Sequence, residues 1–184
     1  MRMLFTLTGY VLAGYCLLCL LLYLLQRQLI YFPVPAQLPP TDPLLQQQAD
    51  ATVLVSRKAR ETSQALLYFG GNSEDVSVAL PEFAAAFPNH AIYLMHYRGY
   101  GGSSGKPSEQ AQVADALALF DQLQTKHSDI TVLGRSLGSG IAVQLAALYQ
   151  AFAPGIATLR SYSGSHNSNL PASQLAAWLA TATP

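Results

Sequence analysis

The chain has only two cysteines, and both, Cys16 and Cys19, lie within one apolar run near the amino terminus. No disulfide can therefore staple the rest of the chain, and cysteine usage says nothing about redox compartment. The spacing Cys16-Leu17-Leu18-Cys19 is that of a CxxC, but in the middle of an apolar span it reads as packing rather than metal or redox chemistry. Charge is also scarce: 11% of residues are charged, against about 25% in an ordinary soluble domain. Ten basic residues balance ten acidic ones, which argues against a nucleic-acid footprint or a polybasic membrane patch. There is no internal repeat. Residues 137–184 contain no Asp or Glu and one histidine, His166. At 184 residues the chain has room for one domain of ordinary size.

What is abundant is apolar sequence, and much of it is local. Residues 3–25, MLFTLTGYVLAGYCLLCLLLYLL, carry no charge. About 20 apolar residues at ~1.5 Å each cross a bilayer core of about 30 Å. A cleaved signal peptide has a shorter core, about 7–15 residues, and ends in a small-x-small site. The end of this run, LLYLLQRQLIYF, offers no such pair, so residues 1–27 are read as an uncleaved transmembrane anchor. Tyr23, Arg27, Tyr31 and Phe32 fit one aromatic and basic interface belt. Arg2 and the amino terminus nearly balance Arg27, which leaves only a slight preference for the N-terminus inside and the domain outside. Residues 28–50, with Pro33, Pro35, Pro39, Pro40 and Pro43, read as an extended linker, because proline fixes φ and removes a donor.

Beyond residue 51 two patterns alternate. Residues 52–57, 65–69, 91–96 and 130–133 are short runs of β-formers, and the last three are nearly continuous, as in strands covered on both faces. Residues 75–87 read as helical with a break at Pro81. Residues 108–127 start at a candidate N-cap, Ser108. Val113, Leu117, Phe120 and Leu123 are spaced there for the inner face, with Asp115, Asp121 and Gln122 outside. This alternation predicts an α/β fold with a parallel sheet and flanking helices. The run 130–133 is expected at its centre, between 65–69 and 91–96.

The stretch ITVLGRSLGSGIAVQL, residues 130–145, contains Gly134-Arg135-Ser136-Leu137-Gly138, a G-x-S-x-G. The glycines have a steric purpose: side chains two positions either side of a serine in a tight strand-to-helix turn would strike the neighbouring strand and helix. A β-rich run precedes the pentapeptide and a small-residue helix start, Gly138-Ser139-Gly140, follows it. This context predicts Ser136 as a nucleophile at the end of a strand, with a helix over 137–149. The glycine-rich stretch 98–105 lacks a Gly-Lys-Ser/Thr and the spacing of a dinucleotide fingerprint, so it reads as a structural loop rather than a phosphate cradle.

The landmarks YFGGNSED, HYRGYGGSSGKPSE, the helix carrying Asp115 and VLGRSLGSGIAVQLA occur in register between residues 68 and 147, with QRQLIYFP before them. In this order the chain resembles the membrane-anchored α/β-hydrolases, the group that includes protein depalmitoylases and lysophospholipid and acylglycerol lipases. The resemblance implies that Ser136 is the nucleophile and that the backbone N–H of Leu137 donates to the oxyanion. The second donor would be the N–H of Asn72, with Ser73 next. The group usually has His-Gly-Asn there, its histidine bracing the loop; this chain has Gly70-Gly71-Asn72-Ser73. The resemblance gives His90, His96 and His127 no triad role, and implies no metal and no cofactor.

In such folds the acid and then the histidine follow the serine. Here His166 comes too early for the base and reads as an exposed loop residue. The expected layout is therefore an anchor over 1–27, a linker over 28–50, the N-terminal portion of a hydrolase domain over 51–153, and a divergent tail over 154–184. Within that tail, 156–162 is a candidate strand and 175–179 a short apolar stretch around Trp178. The reading is of a truncated or frameshifted form of a longer hydrolase. Three functions stay open: a membrane-anchored serine hydrolase of acyl esters or thioesters, with lipid or acylated-protein substrates; a non-catalytic remnant lacking the Asp and His of the triad; and a membrane-tethered binding module.

Overall fold

The computed structural model describes residues 1–39 and 42–152, together with positions 173, 174 and 177. His166, Trp178 and the candidate strand over 156–162 lie outside the described residues. The chain divides into two units, Met1–Phe32 and Pro33–Pro184.

The first unit contains one helix, α1 (Arg2–Ile30), which ends three residues beyond the span expected to end at 27. Within it Phe5–Ile30 is long and apolar enough to cross a membrane. The second unit contains a five-stranded sheet built from β1 (Leu44–Gln47), β2 (Thr52–Lys58), β3 (Gln64–Phe69), β4 (Ala91–Met95) and β5 (Asp129–Gly134), in the order β1-β2-β4-β3-β5. A 3₁₀ turn (Val76–Ala79) runs into α2 (Leu80–Ala86) between β3 and β4, α3 (Glu109–Gln124) precedes β5, and α4 (Leu137–Phe152) follows it.

Two faces of the sheet carry two cores. Alternate residues Ala65, Leu67, Phe69, Tyr93 and Met95 meet Ala116, Leu119 and Leu123 of α3 and Ile141 and Leu145 of α4. The intervening Leu66, Tyr68, Ile92 and Leu94 meet Val76, Phe83 and Phe87 on the other face. Strands covered on both sides need no polar alternation, which is why these runs are continuously apolar. Each fully buried Leu or Phe contributes about 1.5–3 kcal/mol of transfer free energy.

Several expectations hold in detail. Pro81 sits in the first turn of α2, where its missing N–H costs nothing, and it separates the 3₁₀ turn from the helix. Ser108 caps α3, its side chain accepting from the Ala111 N–H at 3.2 Å.

Four expectations need correction. The sheet is mixed, not wholly parallel: β3 pairs in parallel with β4 and β5, whereas β1–β2 and β2–β4 are antiparallel. The central position expected for 130–133 belongs to β3, and among the described residues β5 pairs with β3 alone. Consistent with this, Ala65–Phe69 is buried throughout while the residues of β5 are only partly covered.

The inner face of α3 is also turned from the one expected. Gln112, Asp115, Ala116, Leu119 and Leu123 are buried, whereas Val113, Leu117 and Phe120 are partly covered. Asp115 is drawn inward by Arg98, whose guanidinium donates to both carboxylate oxygens at 2.8 and 2.9 Å. Finally, 28–50 is not linker throughout. Leu44–Gln47 adds to the edge of β2 by backbone pairing. Earlier, the Val34 carbonyl accepts the Gly101 N–H at 2.9 Å, and the Gln37 N–H donates to Asp75 at 2.6 Å.

Candidate active site

The loops that follow β3, β4 and β5 come together at the C-terminal ends of these parallel strands. Ser136 lies between β5 and α4 with φ +50°, the left-handed region that non-glycine residues rarely occupy. The turn is locked by backbone bonds. Arg135 N–H donates to the Phe69 carbonyl at 3.0 Å, and Gly138 N–H reaches the Arg135 carbonyl at 2.9 Å and the Gly70 carbonyl at 3.1 Å.

Both flanking glycines are required by space. A Cβ on Gly138 would stand 2.0 Å from the Phe69 carbonyl oxygen, and one on Gly134 would stand 2.3 Å from the Gly138 carbonyl oxygen. Leu137 is the first residue of α4, where the N–H has no preceding helical carbonyl to satisfy it.

The loop after β3 runs beside this turn. A cavity of about 320 Å³ is lined by Gln37, Gly71, Asn72, Ser73, Glu74, Arg135 and Ser136, among others. Ser136, Asn72 and Gly71 are thus brought to one site, with Leu137, Gly134 and Gly138 in the turn beneath it.

Ser73, at φ +61°, is the second non-glycine residue with a left-handed backbone among those described. The Gly70 carbonyl accepts the Tyr97 hydroxyl at 2.6 Å, and the Tyr100 hydroxyl donates to the Asn72 side chain at 2.7 Å. Gly99, Gly101, Gly102 and Gly105 all have positive φ, so the glycines of 98–105 serve the path of that loop. This supports its structural reading.

Charge around the cavity is arranged rather than accumulated. Burial pushes the Asp75 carboxyl up, but donors from Gln37 and Ser77 outweigh it and hold the group below its ordinary value. Tyr68 is raised, first by burial and then by the neighbouring Glu74 charge, so it remains a neutral phenol that donates to Glu74 at 2.7 Å.

The three described histidines are engaged elsewhere. His96 Nε2 is 2.8 Å from Ser56 Oγ, and burial lowers its pKa to about 4. His127 lies 2.9 Å from the Tyr93 hydroxyl and 2.7 Å from the Thr62 carbonyl. His90 packs edge-on to Phe87.

The sequence reading missed Glu74, Gln37 and the tyrosines Tyr68, Tyr97 and Tyr100 as parts of this region. Only the polar cluster Asn72-Ser73-Glu74-Asp75 signals a tight turn, and nothing local shows that Glu74 folds back onto Gly71. Among the described residues no group of three or more His, Cys, Asp or Glu could hold a metal ion.

A mixed sheet with parallel strands between helices, and a left-handed serine between glycines where a strand enters a helix, defines the α/β-hydrolase class. The chain belongs to this family: the model of the alpha/beta hydrolase fold matches residues 64–181. An uncharacterized protein of Mycobacterium tuberculosis is 35% identical over 138 residues, covering 66% of this chain and 49% of that protein. Protein bem46 of Schizosaccharomyces pombe is 31% identical over 108 residues, 55% of this chain and 36% of its own. The lysophosphatidylserine lipase ABHD12 of Gallus gallus is 35% identical over 86 residues, 44% of this chain and 22% of its own. The chain thus spans about half or less of the length of these relatives. Among solved structures, the esterase Pf2001 of Pyrococcus furiosus shares the fold, with a TM-score of 0.53 at 16% identity over 63% of this chain and 49% of that one.

Proposed function

We propose that the protein is a membrane-anchored serine hydrolase that cleaves acyl esters or thioesters, with Ser136 as nucleophile. The observation that carries this reading is the left-handed Ser136 at the cavity wall. Such strain persists where the surrounding structure holds it, and it concentrates at functional sites. In the proposed reaction Ser136 Oγ attacks the acyl carbonyl, its proton passes to a base, and the alcohol or thiol leaves. The backbone N–H groups of Leu137 and Asn72 stabilise the oxyanion, with the N-terminal dipole of α4 adding to the first. Water then releases the acid from the acyl-serine. The lipase named among the relatives supports a lipid ester as substrate. The anchor itself rests on the apolar length of Phe5–Ile30.

A second reading, a non-catalytic form, is favoured by the engagement of the described histidines His90, His96 and His127 away from Ser136. The reactions of the whole chain separate the two. Oxyanion donors without a base retain a residual ~10³–10⁴-fold over water. On either reading the chain should hydrolyse p-nitrophenyl butyrate, only slowly on the second, and Ser136→Ala should abolish this. Ser136-dependent fluorophosphonate labelling and turnover of ordinary acyl esters support the first reading, and both staying near background supports the second. A chain with no Ser136-dependent reaction, even with the activated ester, would overturn the nucleophile reading. Ordinary ester turnover that disappears in both Ser136→Ala and His166→Ala would assign the base to His166 and discard the second reading.

A further inference from the structure

We infer that Glu74 is the positioning residue that holds the Gly71–Asn72 backbone against the nucleophile turn; as a role in catalysis, this rests on the reading of Ser136 as nucleophile. One carboxylate ties three elements. Its Oε1 accepts from the Tyr68 hydroxyl at the end of β3 at 2.7 Å. Its Oε2 accepts the Gly71 N–H at 2.6 Å and lies 3.3 Å from Arg135 Nη1, the side chain next to Ser136. The backbone closes the same turn in reverse, with Glu74 N–H donating to the Gly71 carbonyl at 3.3 Å. Residues 71 and 74 thereby satisfy one another reciprocally, as the two ends of a capping box do. Ser73, between them, is kept at its left-handed φ.

Gly71 is the residue that this clamp presses toward the site. A Cβ placed on it would fall 3.2 Å from Glu74 Oε2 and 3.6 Å from Ser136 Cβ. No side chain at 70 can supply the brace instead, because a Cβ there would stand 2.4 Å from Val76 Cγ1, part of the buried core. The Glu74 side chain is only 15% exposed, so its bonds are shielded from the water that weakens surface pairs. Donors aimed at an oxyanion act only when their backbone is fixed before the charge develops. Glu74 supplies that fixity without touching the reacting atoms.

The test uses the full chain as wild type, Glu74→Ala, Glu74→Gln, Arg135→Gln and Ser136→Ala. Hydrogen exchange over residues 70–74 should quicken by about tenfold or more in Glu74→Ala while β3 and β4 keep their protection. Glu74→Gln, which still accepts the Gly71 N–H, should keep most of the loop's protection. For Ser136-dependent hydrolysis of p-nitrophenyl butyrate, kcat should fall by about 10- to 100-fold in Glu74→Ala, with KM within about twofold. Arg135→Gln, which cuts the link to the turn, should lower kcat by about threefold. Unchanged loop exchange in Glu74→Ala would overturn the inference. So would exchange that rises equally across the core strands, the mark of general loss of stability. Wild type without Ser136-dependent hydrolysis would instead remove the nucleophile reading, and the exchange measurement would then decide the role of Glu74 alone.

Discussion

The loops after β3 and β4 flank the same serine but are held by different means. Loop 97–105 is anchored from below: Arg98 donates to buried Asp115 through two bonds and to Asp50 at 2.7 Å, and the Asp115 bonds raise the guanidinium above its ordinary value. Four positive-φ glycines then let the chain turn without strain. In loop 70–75 the carboxylate paired with an arginine is Glu74, whose partner Arg135 is half-exposed, and a strained Ser73 stands in place of a glycine. The first loop spends its interactions on stability and the second on placing a backbone beside Ser136. Two arginine–carboxylate pairs therefore do different work, and burial is what separates them.

Removing an anchor of the first loop should have the largest effect. Asp115 is fully buried, and Asp115→Ala leaves the largely buried Arg98 charge with only the exposed Asp50 as partner. Loss of one partner of such a pair costs about 3–5 kcal/mol, to be read from urea unfolding of the detergent-solubilised chain. If the loss were instead as small as that of an exposed pair, below about 1 kcal/mol, the contrast between the loops would collapse.

An acid response should come next. His96 lies under the first loop, where a Cβ on Gly101 would fall 1.8 Å from its Nδ1. The unfolded chain protonates this imidazole near pH 6.5, the folded chain only at about 4. Between those values the unfolded state binds more protons, so stability falls as pH drops through the window, by roughly 3 kcal/mol in all. The Asp75 carboxylate facing His96 opposes the shift without reversing it. Unfolding measured at pH 7 and pH 4.5 should show the decline, and His96→Gln should flatten it. An undiminished slope in that variant would place the acid sensitivity elsewhere.

The smallest effect concerns the strained serine. Ser136→Gly should raise stability by about 1 kcal/mol, because glycine takes a positive φ freely, while abolishing Ser136-dependent ester hydrolysis. A gain in stability together with a loss of reaction would mark the turn as shaped for chemistry. A loss of both would mean that the serine side chain also helps to hold the turn.

What was legible from residue order follows the range of the forces involved. The G-x-S-x-G turn, the Ser108 cap and the break at Pro81 are set within a few residues, so the sequence displays them. The central place of β3 depends on pairing between segments tens of residues apart, and continuous apolar runs look alike whichever strand lies in the middle. Asp115 reads as a surface residue because its partner, Arg98, lies in a different loop. Leu44–Gln47 has little strand character of its own and becomes a strand only because β2 offers an edge. Glu74 is visible as a polar turn residue, but its carboxylate has work only once Tyr68, Gly71 and Arg135 converge on it.

The stretch 33–39 carries a practical consequence for anyone who wishes to cut the domain away from α1. The Val34 carbonyl secures Gly101, the Gln37 N–H secures Asp75, and the Leu38 N–H reaches Ser77 Oγ at 3.4 Å. A cut that starts the chain at 51, where strand-like sequence first becomes obvious, discards all three ties and strips β1 from β2. A cut immediately before Pro33 keeps them. The proline-rich segment belongs with the folded domain and should travel with it in any shortened version of the protein.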